Sequence, residues 1–403
     1  MRLTQIVVIA IAATMLASVV AVTSATRDAS VSAVTGRVAY VPCSAKKEAG
    51  VEGGQFQLVY LKLPSGQPVN LRVAHPLLGS DISSFKWSPD ASRLLFIARL
   101  KNQLSGGGEQ LDMFVPWVLD LRTGTVWPIS QPSNRNCWRA DWLSDGRRIV
   151  LQALVGRNPE LAWWGGLPQV LKGGDTRLIL VDLRSKREKT IWRSNYPYHY
   201  ECSPTRDEIL IYMLDDTYRL MATDRRVRWR RKIRASDMLD AMAFSPDGGK
   251  IAVYVGHKLH IVSRGTGTRQ TVYTSVERAS ARELAWSADG HWIAFREYWN
   301  ESKSIDPPMP DFAWDVFAVN VETRKVHRFP DEAYRQGKYS YRPTVLGWTK
   351  DGNTLALNVP ADNGKWPPVV DRDVLVLCPL AGGKGVPVAD ITSGTGGLAW
   401  LPR

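Results

Sequence analysis

A short pattern recurs along the chain and constrains its fold more than any other feature. An anchor residue, usually aromatic, precedes a tight turn with the sequence Ser-Pro-Asp-Gly or a close variant, and alternating apolar residues follow, as in FSPDGGKIAVY at 244–254. The anchors are Trp87, Trp142, Cys202, Phe244, Trp286, Trp348 and Trp400. They are spaced by about 40 to 60 residues, which is typical of one four-stranded propeller blade with loops of variable length.

The turn chemistry and the apolar alternation together predict hairpins. Pro presets the first turn position, Asp bonds to nearby backbone, and Gly accepts the positive φ that closes the turn. Alternation with period two, as in KIAVYV at 250–255, is typical of a strand. A second hairpin follows each anchor, for example WDVFAVNVETRKVHRF at 314–329. Two hairpins make one four-stranded antiparallel blade.

The sequence therefore predicts an all-β, seven-bladed β-propeller over residues 36–403, after a short linker at 26–35. The strand GRVAYVP at 36–42 and the hairpin at 56–73 lack an innermost strand, and GGLAWLPR at the C-terminus supplies one. The terminal strands are thus expected to share one blade and close the ring, which removes exposed sheet edges. Six blades is the alternative, if the copy at Cys202 is only an irregular hairpin.

The anchor and SPDG copies resemble the WD40-like propeller repeat of the TolB type over nearly all of the chain after residue 36. That resemblance implies a periplasmic propeller that works with partner proteins in the cell envelope. The sequence departs from TolB in two ways, because TolB has six blades and an N-terminal α/β domain for which residues 26–36 leave no room. The chain also lacks a GxSxG nucleophile elbow, which argues against a serine hydrolase domain.

The first 25 residues are typical of an export signal. Arg2 precedes an apolar run at 6–22, and Thr23 and Ala25 are small residues suited to a cleavage site. An uncleaved membrane anchor is the alternative, since the run approaches the length that spans a bilayer. We expect an exported protein, periplasmic or extracellular.

Charge and cysteine content limit the partners. The formal net charge of +13 favours anionic neighbours such as lipid head groups, acidic glycans or acidic proteins, and export makes nucleic acid a poor candidate. The spacing of the four cysteines, Cys43, Cys137, Cys202 and Cys378, fits neither a small disulfide scaffold nor a CxxC metal site. Their pairing and the oligomeric state are left open.

Long loops on the face opposite the SPDG turns form the first candidate site. They carry Trp163, Trp164, Tyr298, Trp299 and Trp366. Binding commonly resides in long loops on a rigid scaffold, so these aromatic residues predict a platform for a protein partner or for glycan rings. The alternative is that they pack on blade edges and only hold the loops in place.

The mouth of the central channel is the second candidate site. Innermost strands begin there, and the residues three or four positions before the anchors include Arg139, His199, Asp240, Arg282 and Glu283. Such a ring suits a small ligand, although a polar, water-filled channel is the alternative. Of the six His, His199 is the one expected on this ring, so no metal and no cofactor are predicted.

A basic edge strand in the fourth blade is the third candidate site. Alternation places Arg228, Arg230, Lys232 and Arg234 on one side and Val227, Trp229 and Ile233 on the other. The cationic side predicts a dock for an anionic envelope surface. The alternative is a guard against edge-to-edge strand pairing.

These features favour an exported, non-catalytic scaffold protein that recognises an envelope partner through the long-loop face. The alternative is a carbohydrate-active lyase or hydrolase, or a carbohydrate-binding propeller, that uses the channel mouth. A catalytic site requires polar groups that converge in a pocket, whereas a scaffold requires an accessible patch.

Overall fold

A computed structural model describes most of the chain after residue 35. The described residues are 36–40, 55–63, 67–76, 78–100, 114–129, 135–164, 167–194, 199–213, 217–232, 239–276, 279–300, 312–336, 343–362, 370–391 and 398–402. The predicted signal segment lies outside them. No helix within these ranges is both long and apolar enough to cross a membrane.

The described strands pair into seven four-stranded antiparallel sheets, numbered here in chain order. Sheet 1 contains β1 (Gly36–Tyr40), β2 (Gln55–Leu63) and β3 (Gln67–Ala74). Sheet 2 contains β4 (Leu78–Trp87), β5 (Arg93–Leu100), β6 (Phe114–Asp120) and β7 (Val126–Pro128). Sheet 3 contains β8 (Arg135–Trp142), β9 (Arg148–Trp164), β10 (Leu167–Asp182) and β11 (Glu188–Ser194).

The remaining sheets follow the same order from an innermost to an outermost strand. Sheet 4 contains β12 (His199–Cys202), β13 (Glu208–Met213), β14 (Thr217–Ala222) and β15 (Val227–Lys232). Sheet 5 contains β16 (Leu239–Phe244), β17 (Lys250–Val255), β18 (Lys258–Ser263) and β19 (Arg269–Thr274). Sheet 6 contains β20 (Ser280–Trp286), β21 (Trp292–Asn300), β22 (Phe312–Asn320) and β23 (Val326–Phe329).

Sheet 7 and the end of the chain complete the arrangement. Sheet 7 contains β24 (Thr344–Trp348), β25 (Thr354–Asp362), β26 (Val370–Pro379) and β27 (Val386–Ile391), and a short helix, α1 (Asp331–Tyr334), precedes it. The last strand, β28 (Leu398–Pro402), pairs antiparallel with β1 and becomes the innermost strand of sheet 1. The first and last strands of the chain therefore share a sheet, as their sequences indicate.

The innermost strands contact one another in a closed cycle. In order these strands are β28, β4, β8, β12, β16, β20 and β24, and β24 contacts β28 in turn. Closure of this cycle surrounds a central channel and leaves each sheet packed face to face with its neighbours. The chain is thus a β-propeller.

Apolar residues fill the spaces between consecutive sheets rather than one central core. Trp117 of sheet 2 packs in a buried cluster with Leu58 of sheet 1, and Tyr200 of sheet 4 packs in another with Leu178 of sheet 3. Strands in the middle of a sheet, such as β13 and β17, bury side chains on both of their faces, because each sheet lies between two others. This explains apolar runs such as that of β13, in which all six residues are buried.

Anchor tryptophans connect adjacent sheets by hydrogen bonds as well as by packing. The indole Nε1 of Trp142 donates to the carbonyl oxygen of Lys86 at 3.2 Å, that of Trp286 to Ala243 at 3.2 Å, and that of Trp348 to Ala285 at 2.9 Å. Each acceptor belongs to the innermost strand of the preceding sheet. The buried Trp N–H therefore finds its partner across the sheet interface, which explains the preference for Trp at these positions.

The SPDG turns repeat one set of hydrogen bonds. Ser245 Oγ donates to Asp247 Oδ1 at 2.6 Å and accepts from the backbone N–H of Lys250 at 2.8 Å, while Asp247 Oδ1 also accepts from the N–H of Gly249 at 2.9 Å. Gly248 has φ of 67°, in the left-handed region that glycine tolerates best. These bonds hold the turn between β16 and β17.

Substitution of Asp247 by Ala is expected to lower the free energy of unfolding by about 1 to 2 kcal/mol, because it removes two hydrogen bonds within this turn. Asp247→Asn keeps an acceptor oxygen and is expected to lose less. Urea unfolding of the two variants checks this. Equal loss in both would show that the hydrogen bonds to Asp247 do not stabilise the turn.

Candidate functional site

The residues predicted at the channel mouth lie on four consecutive innermost strands. His199 is the first residue of β12, Asp240 the second of β16, and Arg282 the third of β20. Arg139 lies in the middle of β8, after a β-bulge between Cys137 and Arg139. The mouth therefore combines side chains from sheets 3 to 6.

Arg139 joins two sheets through ion pairs. Its Nη2 lies 2.6 Å from Glu201 Oε1 in sheet 4, and its Nε lies 3.1 Å from Asp141 Oδ2 on its own strand. Its guanidinium carbon lies 4.8 Å from the centre of the Tyr200 ring. Two ion pairs and the stacking on Tyr200 thus hold the Arg139 side chain in place, so its role at the mouth is structural.

Lys86 extends this network to sheet 2. Its Nζ lies 2.7 Å from Asp141 Oδ1. Burial by itself would raise the pKa of Asp141, but Lys86 and Arg139 together hold that pKa below its usual value. Lys86, Asp141 and Glu201 were not among the predicted site residues. The signal that could have found two of them is spacing, since Asp141 and Glu201 stand two residues after Arg139 and His199 on the same strands.

Glu283 connects sheets 6 and 7 and has a structural role. It lies in a β-bulge of β20 and has φ of 57°. Its Oε1 accepts from Arg296 Nη2 at 2.8 Å, and its Oε2 accepts from the backbone N–H of Val345 at 3.3 Å. Burial raises the pKa of Glu283, against the effect of Arg296. The carboxyl group is committed to these contacts.

Arg282 is the exposed cation of the mouth. Its side chain is exposed, and it forms no salt bridge within the described part of the chain. Its charge lowers the pKa values of His199 in sheet 4, Asp240 in sheet 5 and Glu283 in its own strand. Arg282 is therefore an exposed cation whose charge acts on titratable groups of sheets 4, 5 and 6.

His199 is held neutral at physiological pH. Burial, followed by the charges of Arg139 and Arg282, lowers its pKa to about 4. A neutral imidazole can accept a proton at one nitrogen and donate from the other. Among the six His of the chain, His199 is the one that lies on an innermost strand.

Asp240 has the opposite shift. Its pKa is raised to about 6, by burial above all and also by the charge of Glu297, although a hydrogen bond from Ser280, one from the N–H of Ala281 and the charge of Arg282 oppose this shift. A carboxyl group with a pKa near 6 can exchange protons close to neutral pH. Asp240 and His199 are therefore titratable groups on adjacent sheets whose pKa values are shifted in opposite directions.

Buried groups behind Asp240 were missed by sequence reasoning. Glu297 is 1% exposed and accepts hydrogen bonds from the hydroxyl groups of Tyr254 and Tyr273. Burial raises its pKa, although these hydrogen bonds oppose the effect. Glu297 and Arg296 follow the apolar start of β21, and this interruption is the sequence signal that marked them.

The predicted loop aromatics are mostly in strands, which corrects the long-loop interpretation. Trp163 and Trp164 are the last residues of β9, and Leu167 of β10 pairs with Trp164 in one extended hairpin. Tyr298 and Trp299 lie near the end of β21. Antiparallel strand pairing continues through these segments, so they extend the strands instead of forming loops. Trp366 lies outside the described residues.

The basic edge also differs from its prediction. Met221 pairs with Val227 and Leu220 with Trp229, so Arg228 is an extra residue that interrupts the alternation. Val227, expected beside Trp229 on the buried side, is 45% exposed. Arg228 Nε lies 3.2 Å from Glu208 Oε1, while Arg230 and Lys232 are exposed and Arg234 lies outside the described residues.

Within the described ranges, no group of three or more His, Cys, Asp or Glu side chains is placed to hold a metal ion. The described cysteines, Cys137, Cys202 and Cys378, are free thiols. The expectation of no metal or cofactor stays a prediction.

Known proteins resemble this chain in fold but not closely in sequence. The sequence matches no protein-family model and has no significant match among curated proteins. An oligogalacturonate lyase from Vibrio parahaemolyticus is similar in structure, with a TM-score of 0.52 and 14% identity over 81% of this chain and 88% of that one. A periplasmic gluconolactonase of Pseudomonas aeruginosa is also similar, with a TM-score of 0.53 and 13% identity over 91% of this chain and 99% of that one. At this identity the likeness shows the β-propeller fold; a relationship to TolB is not among these similarities.

Proposed function

We propose that this protein is an enzyme that binds a small sugar acid or sugar lactone at the channel mouth and acts on it by proton transfer. The observation that carries the proposal is the position of Arg282, an exposed cation whose charge acts on His199 and Asp240 from adjacent sheets. A carboxylate or a developing oxyanion bound at Arg282 would lie near the neutral imidazole of His199 and the carboxyl group of Asp240, whose pKa is about 6.

The roles follow from the charge states. Arg282 would bind a carboxylate or stabilise negative charge that develops on a carbonyl oxygen. At pH 7, His199 is neutral and Asp240 is mainly ionised, so each can accept a proton from the sugar or from an attacking water. Arg139 and Glu283 hold the surrounding strands through their ion pairs, which fixes the geometry of the mouth.

Two reactions fit these roles. In a β-elimination, the base removes the proton on the carbon beside the sugar carboxylate and Arg282 stabilises the resulting enolate. A C=C bond then forms as the C–O bond to the leaving sugar breaks, and that oxygen takes a proton from the base or from solvent. In lactone hydrolysis, the base removes a proton from water as the water oxygen attacks the lactone carbonyl, and Arg282 stabilises the oxyanion. The ring C–O bond then breaks and the ring oxygen takes the proton, which gives the open sugar acid. Similar propellers are named as an oligogalacturonate lyase and a gluconolactonase, which supplies one test substrate for each reaction.

Turnover of glucono-1,5-lactone and of oligogalacturonate tests the proposal. We expect activity on one of them, with kcat/KM reduced about 100-fold or more in Arg282→Gln and in His199→Gln. Arg269→Gln, which changes an exposed arginine of the outer strand β19, is the matched control and should retain activity. Urea midpoints of the variants show that each is folded.

Two outcomes would contradict the proposal. The parent protein would turn over neither substrate, or Arg282→Gln and Arg269→Gln would have equal activity. Recognition of an envelope partner, as the TolB resemblance implies, and export to the periplasm both stay predictions, and the assay depends on neither.

A further inference from the structure

A groove at the perimeter, between sheets 3 and 4, is separate from the channel mouth. It has a volume of about 580 Å³ and is lined by Thr190, Ile191, Trp192, Arg193, Met221 and Arg225. The first four belong to the outermost strand β11, and Met221 and Arg225 belong to β14 and the turn that follows it. This volume suits one large side chain or a small ligand.

The floor of the groove is apolar and aromatic. Ile191 is 2% exposed and Met221 is 1% exposed. The guanidinium carbon of Arg219 lies 5.1 Å from the centre of the Trp192 ring, which fixes the indole. The buried indole N–H of Trp192 has no hydrogen-bond partner among the described residues. The groove thus offers an ordered aromatic ring on an apolar floor.

The rim of the groove is cationic. The Arg225 guanidinium donates to the carbonyl oxygen of Thr190, which connects the two sheets across the groove. The Arg193 side chain is 63% exposed. Its Nε lies 3.7 Å from Asp175 Oδ2, and solvent screens an ion pair of this length. Exposed cations continue on both flanking turns, and they are Arg184, Lys186, Arg187, Lys189 and Arg226.

We infer that this groove docks an acidic, extended segment of a partner protein, with one aromatic or aliphatic side chain seated over Trp192. Charge complementarity selects an acidic partner, because exposed cations outnumber acids on both turns. The concave shape of the groove favours a partner segment that inserts one side chain into it. A membrane surface fits less well as the occupant. Among the described residues near these turns, Val227 alone is a large exposed hydrophobic side chain that could enter a bilayer.

Fluorescence anisotropy with a defined peptide tests this inference on the full chain. The probe is a fluorescein-labelled heptapeptide with six Glu residues around a central Phe, and its control peptide carries Gly in place of Phe. We expect the Phe peptide to bind about ten-fold more tightly than the Gly peptide, and both to weaken as salt rises.

Matched variants separate the groove from general surface charge. Arg193→Glu and Arg225→Asn are each expected to weaken binding of the Phe peptide about five-fold or more. Arg324→Asn is the control, because Arg324 also has a positive φ in an outer hairpin turn, at 59° against 78° for Arg225, but lies in sheet 6. It should bind as the parent does. Arg193 is exposed, so its variant is informative even if Arg225→Asn is destabilised.

Three results would overturn the inference. The Phe and Gly peptides would bind equally, which would reduce the groove to a charged surface. Arg324→Asn would weaken binding as much as Arg193→Glu. Phosphatidylglycerol vesicles would bind in a manner lost in Arg193→Glu while neither peptide binds, which would identify a lipid surface as the occupant.

Discussion

Removal of β28, by ending the chain at Gly397, is expected to destabilise the protein by at least about 3 kcal/mol. The deletion takes away the innermost strand of sheet 1, which pairs with β1 over residues 36–40. It also removes Trp400, whose Nε1 donates to the carbonyl oxygen of Trp348 in sheet 7 at 2.7 Å. The cycle of innermost strands would then open between sheets 7 and 2.

The Trp400 contact is close enough to constrain its neighbour. Gly347 has φ of 149°, and a Cβ atom there would lie 3.0 Å from Cδ1 of Trp400. Glycine at 347 is therefore suited to the approach of the last strand. Loss of β28 would expose both this surface and the edge of β1, and an unpaired edge promotes association between molecules.

Urea unfolding and size-exclusion chromatography measure both effects. A chain ending at Pro402 is the matched control, since it keeps all of β28, and it should unfold at the parent's midpoint. Addition of a synthetic peptide of residues 396–403 should restore part of the lost stability. Equal midpoints for the chains ending at 397 and at 402 would show that β28 does not fasten the ring.

Substitution of Asp240 by Asn is expected to stabilise the protein at pH 8 by about 1 to 3 kcal/mol. The pKa of Asp240 is raised to about 6 in the folded protein, against 3.8 for an ordinary Asp. Above pH 6 the folded protein must keep this buried carboxyl group ionised, which costs free energy that the unfolded chain does not incur. Asn removes that cost.

The sign of the pH dependence identifies the cause. Between pH 6 and pH 4 the folded parent binds a proton at Asp240 that the unfolded chain does not, so the advantage of Asp240→Asn should shrink and nearly vanish by pH 4. His199 is present in both proteins and titrates alike in each, so its own effect largely cancels in the comparison.

Asp247, a carboxylate whose pKa is shifted in the opposite direction, is the control. The pKa of Asp247 is lowered, chiefly by the hydrogen bond from Ser245. Asp247→Asn should therefore be less stable than the parent at pH 8, with a difference that remains at pH 4 and is lost only at lower pH, because the pKa of the folded carboxyl group lies below 3.8. Urea midpoints at pH 4, 6 and 8 measure both variants. If Asp240→Asn is no more stable than the parent at pH 8, burial does not raise the free energy of the ionised Asp240 carboxyl group.

The local structure of the propeller could be predicted from the sequence. The Ser-Pro-Asp-Gly segment at 245–248 forms the expected turn, and Gly146, Gly248, Gly290 and Gly352 all have the positive φ that it requires. The sheet that β1 and β28 share was also predictable, since the N-terminal strands lacked an innermost strand and the C-terminal segment supplied one. These features depend on residues close in sequence or on a periodic pattern, and such signals are present in a single chain.

The tertiary structure decided which side chains act together at the channel mouth. Sequence position placed Arg139, Glu283 and Arg282 in one ring, but Arg139 pairs with Glu201, 62 residues away, and Glu283 with Arg296 and Val345. Of these three residues, Arg282 is the one that is exposed and has no salt bridge within the described ranges. Ion pairing and burial depend on how adjacent sheets pack, and packing joins residues whose separation in sequence carries no local signal.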